Sequence, residues 1–251
     1  MSAVEPEIPE DWYVRAFGSL YPVVYAHRTV EAAAPEVEFA AKAVRLTNAD
    51  RSLDLCCGNG RHLVHLARYT RRVMGMDYSP QLLELARSLL GTKAPLVRAD
   101  MRAMPFTKAF DVVFNFFTSF GYFSSADENA QVARGVGAVL RPRGRFFMDH
   151  VNAAHARQHL IPESVRRQGA FEILERRWID AATQRLNKHT RVLDDGNLIG
   201  ETQESVQLYT PDQLRELLGR EGLEVDQFFG DYSGAPLDES QPRMIVVGHK
   251  G

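Results

Sequence analysis

Three aspartates, Asp54, Asp77 and Asp100, each close a short apolar run, and the intervals between them are close to one strand–helix unit. A carboxylate offers two acceptor oxygens, which suits a vicinal diol such as that of ribose. The first acid belongs to Leu53-Asp54-Leu55-Cys56-Cys57-Gly58-Asn59-Gly60-Arg61-His62, which reads as a buried strand, a tight glycine loop and the start of a helix. That shape suits a nucleotide cofactor. A dinucleotide fingerprint, Gly-x-Gly-x-x-Gly, uses its third glycine to let the helix pack close on the strand. Gly58 and Gly60 fill the first two places, but Leu63 stands at the third. Taken singly, each acid reads as a helix N-cap or a turn residue. In series at three strand ends they read as a site. Asp77 alone also fits a nicotinamide enzyme, so the missing glycine and Asp100 separate the two readings.

Positioning these residues requires alternating strands and helices. Strands are expected at Arg51–Leu55, Val73–Asp77, Leu96–Ala99, Phe110–Phe117 and Arg145–Val151. Between them, a helix carries Leu63, Val64, Leu66 and Ala67, and Ser79-Pro80 caps a second one through Leu90. A third runs from about Asp127 to Leu140 and ends at the turn Arg141-Pro142-Arg143-Gly144. Pro35 is expected in the first turn of an earlier helix reaching about Leu46. The alternation predicts a mostly parallel sheet covered on both faces, with ligands outside the carboxyl ends of its strands. After Asn152 the pattern becomes antiparallel: Phe171–Ile179, Arg185–Asp194 and Leu198–Leu208, with Asp195-Gly196-Asn197 as a hairpin signal. Thr210-Pro211 caps a helix over Asp212–Arg220, and Leu223–Phe229 and Arg243–His249 end the chain. The expected divisions are an N-terminal cap over 1–34, a core over 35–151, an antiparallel insertion over 152–208 and a completion of the core sheet over 209–251.

The acid at the strand end, Gly58-x-Gly60, and the acids Asp77 and Asp100 together resemble the motif series of class I (Rossmann-like) S-adenosylmethionine (SAM)-dependent methyltransferases, over roughly Val44 to Val151. The resemblance implies an α/β fold with a seven-stranded sheet of order 3-2-1-4-5-7-6, one strand antiparallel, and helices on both faces. It implies SAM as cofactor and S-adenosylhomocysteine as product. Cys56 stands where the family has its first glycine, and a negative φ would let it be tolerated there. By the same resemblance Asp54, Cys56, Gly58 and Gly60 form the cofactor loop. Asp77 takes the ribose hydroxyls, Tyr78 packs on adenine, Asp100 accepts from the adenine amino group and the Met101 N–H donates to the ring. Ser119-Phe120-Gly121-Tyr122-Phe123 is similar to a stretch in methyltransferases of small amines and sugars. Just before it, Asn115 or the carbonyls around Phe116 would hold the methionine end, although Asn115 reads equally as a structural amide. Tyr13, Tyr21, Tyr25, Ser119 and Tyr122 are candidate acceptor contacts. Arg28 reads as a surface arginine or as a partner for the SAM carboxylate.

His150, at a strand end, is the one candidate general base, with a structural histidine an equal reading. Cys56 and Cys57 are adjacent, unsuited to pair with each other and too few for zinc, so they read as packing residues. His155 and His159 lack the glutamate of a His-Glu-x-x-His site and a third ligand, so no metal is expected. Net charge is −2, which disfavours nucleic acid and anionic membrane as partners. No apolar run is of bilayer length, the N-terminus lacks a hydrophobic core, and a cytoplasmic location is expected. The expected function is methyl transfer to a small molecule, nitrogen slightly favoured over oxygen because an amine needs only a neutral lone pair. The alternatives are an RNA or protein methyltransferase and a non-catalytic SAM-binding protein. Asn115-Phe116-Phe117-Thr118 departs at both prolines from the Asn-Pro-Pro-Tyr loop of base amino-group methylation. A monomer and a homodimer both remain open.

Overall fold

A computed structural model describes residues 5–251; the first four residues of the expected acidic arm lie outside the described residues. Two short helices, α1 (Trp12–Ala16) and α2 (Tyr21–Val24), precede α3 (Val30–Ala43). The alternating core follows as β1 (Arg51–Leu55), α4 (Leu63–Tyr69), β2 (Arg72–Asp77), α5 (Pro80–Leu90), β3 (Leu96–Arg98), β4 (Phe110–Asn115), α6 (Ala126–Val139) and β5 (Leu140–Val151). Next come α7 (Ala153–Gln158) and the strands β6 (Glu163–Gln168), β7 (Phe171–Ile179), β8 (Arg185–Asp194) and β9 (Asn197–Gln207). The chain closes with α8 (Pro211–Arg220), β10 (Leu223–Phe229) and β11 (Arg243–Lys250).

The main sheet has the order β3-β2-β1-β4-β5-β11-β10, parallel except that β11 runs against both neighbours. This is the order the sequence implied. Alternation along each strand sends side chains to opposite faces. Val113, Phe146, Met148 and Val246 pack with α6 and α8, while Val112, Phe114, Phe147 and Ile245 pack with α3, α4 and α5. Phe114, Phe146 and Phe147 are almost wholly buried, each stabilising by about 1.5–3 kcal/mol. The sheet therefore has two covered faces, and the loops after β1, β2, β3 and β4 gather at one end of it.

Local chemistry sets the helix starts. The Ser79 hydroxyl accepts from the Leu82 N–H at 3.1 Å, and Thr210 with Gln213 forms a reciprocal capping box. Pro35 corrects one expectation: it lies inside α3, not in its first turn. Thr29 accepts from the Ala32 N–H and starts the helix earlier. Tertiary packing of Ala33, Val37, Ala40 and Ala41 carries the helix through the proline. Arg141–Gly144 is also corrected, from a turn to an irregularity within β5, whose pairing with β4 shifts between Phe110 and Val112.

The remaining strands form a separate antiparallel sheet of order β6-β7-β8-β9. Asp195 and Gly196 both have positive φ, 45° and 79°, which fits a two-residue hairpin following the right-handed twist. The N-terminal segment fills the space between this sheet and the core. Ser79 Oγ donates to the Phe17 carbonyl at 2.6 Å, Gln203 Nε2 to the Glu7 carbonyl at 2.9 Å, and Arg166 to the Val24 carbonyl.

Candidate cofactor site

The glycine loop is built around Asp77. Its Oδ2 accepts from the Gly58 N–H and its Oδ1 from the Ser79 N–H, both at 2.8 Å. Burial outweighs these backbone donors, so the carboxyl sits above its ordinary range. A carboxylate has about four acceptor positions; Gly58 and Ser79 fill two, and the Tyr78 N–H lies against the group as well, which leaves capacity for a hydroxyl. Gly58 has a φ of 55°, open to glycine without strain. Cys56 contradicts the sequence expectation: its φ is +61°, so a side chain occupies the left-handed region where the family has glycine. Its thiol lies 3.6 Å from Met101 Sδ, and burial pushes it well above the usual thiol range.

A cavity of about 230 Å³ opens at the carboxyl ends of β1 to β4. Cys56, Gly58, Asp77, Tyr78, Asp100, Met101 and Phe116 line it, as do Tyr13, Tyr21, Ser119 and Tyr122. Five expected residues are not in its lining. Gly60 packs inward instead: a Cβ there would come within 3.1 Å of Ala86 Cβ, so its glycine serves the contact of the loop with α5. Tyr25 points its hydroxyl into an ion cluster with Glu204 and Lys188. Asp54 is 1 % exposed, burial raises its pKa to about 8, and its Oδ2 has no hydrogen-bond partner in the chain. Asn115 donates to the Leu55 carbonyl at 3.1 Å, the structural bond weighed for it, and its Oδ1 is unpartnered.

His150 is the fifth. Its side chain is fully buried within β5, Nδ1 lies 2.9 Å from its neighbour's carbonyl at Val151, and its ring packs edge-on to Tyr209. Burial lowers its pKa to about 4. The main sheet buries the residue, so it is not placed to take a proton from a ligand in the cavity.

Asp100 also differs in detail from its expected role. Burial would raise its pKa, but hydrogen bonds from Arg102 hold it below the carboxylate range. Arg102 Nη2 is 2.6 Å from Oδ2, and Nε is 3.1 Å from each oxygen. Much of the acceptor capacity offered to adenine is therefore already engaged. Tyr13, Tyr78 and Phe123 surround this part of the cavity, with Tyr13 edge-on to both other rings.

Sequence reasoning undervalued the basic residues. Arg61 lines the cavity, is 5 % exposed, gives Nη1 to Glu36 Oε2 at 3.0 Å and keeps a buried Nη2 without a partner. Arg28 lines it too, over the rings of Tyr25 at 4.0 Å and Phe117 at 4.9 Å. His62 stacks on Phe116 with centroids 4.1 Å apart and shares Glu36 with Arg61. Phe117 was hidden in a run that reads as continuous strand; no local signal distinguishes it from Phe114 or Phe116.

Residues 53–144 match the family model of the methyltransferase domain. Residues 53–144 therefore carry a methyltransferase domain, and the sheet around them has the Rossmann-like strand order. A methyltransferase of Schizosaccharomyces pombe is 35% identical over 43% of this chain and 42% of its own length, so that match spans less than half of either protein. The cypemycin N-terminal methyltransferase of a Streptomyces species is 26% identical over 78% of this chain and 81% of its own. In fold, the methyltransferase domain and its surroundings are similar to a SAM-bound amino pentose methyltransferase from Micromonospora echinaspora involved in calicheamicin biosynthesis. The TM-score is 0.69 at 21% identity, covering 93% of this chain and 98% of that one. Among the described residues no helix is long and apolar enough to cross a membrane.

Proposed function

We propose that this protein transfers the methyl group of SAM to a small molecule, with nitrogen favoured over oxygen as acceptor. One observation carries the cofactor reading: a single cavity holds Asp77, with acceptor capacity to spare, and Arg61, whose buried Nη2 lacks a partner. A ribose hydroxyl suits the first and a carboxylate suits the second. In the proposed pose Tyr13 and Tyr78 flank the adenine, Gly58 and Cys56 approach the sugar and sulfur, and Arg28 joins Arg61 at the amino-acid end.

SAM supplies an already activated methyl group, so the protein's part is alignment and exclusion of water. Tyr122 is central to this, because it lines the cofactor cavity and also a second cavity of about 440 Å³. The second cavity lies among the N-terminal segment, Tyr122 and Ser124 of the loop after β4, and residues of the antiparallel sheet. Glu7, Glu10 and Asp180 line it together with Trp12 and Trp178. Carboxylates with aromatic faces suit an amine, which they hold as the cation and can relieve of its proton, so that the neutral lone pair attacks the methyl group; this favours nitrogen. Arg185, also in its wall, gives its donors to Ser205 and to the carbonyls of Gly121, Tyr122 and Phe123. The chemistry proposed belongs in the cytoplasm, where SAM is made and used.

Calorimetry of SAM and S-adenosylhomocysteine on wild type and Asp77→Ala tests the reading. Micromolar-order binding, weakened about tenfold or more by the substitution, is expected. Absence of binding to folded wild type would sink it. A panel of amines and alcohols with labelled SAM then tests the acceptor: turnover confined to hydroxyl acceptors would reverse the preference for nitrogen.

A further inference from the structure

The chain leaves β4 through two consecutive non-glycine residues in the left-handed region, Phe117 at φ 55° and Thr118 at φ 58°. A β-branched residue there is an outlier, and such backbone persists only where its surroundings over-determine it. Here the surroundings come from the end of the chain. Asp149, in β5 and with its side chain wholly buried, accepts from the Phe117 N–H at 2.9 Å through Oδ2, and its main-chain carbonyl accepts from the Thr118 N–H at 2.8 Å. Arg243, at the start of β11, donates through Nε to Asp149 Oδ1 and through Nη2 to Thr118 Oγ1, both at 2.7 Å. The Tyr232 hydroxyl completes the set by donating to Asp149 Oδ2 at 2.7 Å.

This bend fixes the ring of Phe117, which lines the cofactor cavity. The guanidinium carbons of Arg61 and Arg28 lie 4.3 and 4.9 Å from its centroid, and that of Arg243 lies 5.3 Å away. One ring therefore packs against both cavity arginines, beside the Glu36 and Tyr25 contacts that also hold them, and its own place depends on backbone held from β5 and β11. We propose that Asp149 and Arg243, with Tyr232, are positioning residues that hold Phe117 and Thr118 in their left-handed bend and thereby place Arg28 and Arg61 for the amino-acid end of SAM. The assignment rests on the SAM reading above and adds that the C-terminal segment tunes one end of the cofactor, not the whole of it.

A pair of probes separates the ends. S-adenosylhomocysteine carries the amino acid, whereas 5′-methylthioadenosine keeps the adenosine and thioether without it. In the full chain, Arg243→Met is expected to weaken S-adenosylhomocysteine about tenfold or more while methylthioadenosine stays within about twofold. Thr118→Gly added to Arg243→Met should recover part of the loss, because glycine adopts the bend without strain. Tyr232→Phe removes one hydroxyl and keeps the buried ion pair; a smaller loss, again confined to S-adenosylhomocysteine, is expected, and it carries the test should Arg243→Met fail to fold. Equal weakening of both probes, or undiminished S-adenosylhomocysteine binding by the folded variants, would overturn the assignment. Wild type that binds neither probe would instead overturn the SAM reading itself.

Discussion

The three strand-end acids look alike in sequence and behave differently in the fold. Asp77 borders the cavity with two backbone donors, Asp100 is engaged by Arg102, and Asp54 is sealed beneath the loop. Burial, with the Asp77 charge adding to it, raises the Asp54 pKa from 3.8 to about 8. The sign of its contribution follows by linkage. From about pH 4 to about pH 8 the folded chain keeps a proton that the unfolded chain has released, so this group's contribution to stability falls as pH rises through that window. His62 and His150, lowered by burial to about 4, act in the opposite sense up to about pH 6.5. A difference measurement isolates Asp54. Urea stability of Asp54→Asn minus that of wild type should increase from about pH 5 to about pH 8, by at most about 1.4 kcal/mol per pH unit. A difference that is flat with pH would return Asp54 to the ordinary carboxylate range.

Elements succeed or fail here by what they pack against. Gly60 is the sharpest case, because its φ is 82° and a Cβ would meet both Ala86 at 3.1 Å and Leu90 at 3.2 Å. Gly196 has a similar φ of 79° with nothing within 4 Å of the same position. Gly196→Ala is therefore expected to cost about 1 kcal/mol from backbone conformation alone. Gly60→Ala adds overpacking between the loop and α5, for a total loss of about 2–4 kcal/mol. Denaturation midpoints of the two variants check this, and equal losses would remove the packing contribution. The same logic explains where β4 ends. Phe110–Phe117 is strongly apolar, but β4 pairs with β5 only as far as Asn115, and Asp149 then accepts from the Phe117 N–H.

At the scale of the molecule, the cap, the core and the insertion meet at charged residues. Lys188 of β8 lies 2.7 Å from Glu204 of β9, and both reach the Tyr25 hydroxyl beside α2. Burial would raise the Glu204 pKa, but Lys188 and its hydrogen bonds hold it below the usual glutamate value. Removing one partner of such a pair leaves the other charge stranded. Lys188→Met is expected to cost about 3 kcal/mol in urea denaturation, the low end of the range because Tyr25 still donates to Glu204. Lys188→Met combined with Glu204→Gln should recover a large part of that loss. A double variant no more stable than the single one would mean that the pair is not coupled.

Periodicity and local chemistry by themselves determine the architecture. The strand–helix alternation, the caps at Ser79 and Thr210 and the hairpin at Asp195-Gly196 are short-range, because each depends on residues within a few positions of one another. The series Asp54, Asp77 and Asp100 is legible for the same reason: strand ends can be read from apolar runs, and the cavity opens at that end of the sheet. What the sequence left open was decided by contacts between distant residues. Burial sets whether a strand-end group such as His150 faces the cavity or the sheet, and the sequence of β5 is the same in either case. Cys56 takes a glycine's backbone region with its thiol packed against Met101, a residue 45 positions away. Phe117 bends where Asp149, itself held by Arg243 far along the chain, accepts from its N–H. Hydrogen-bond partners supplied across the sheet exist only once the sheet is assembled, so the fine geometry of the site belongs to the tertiary structure.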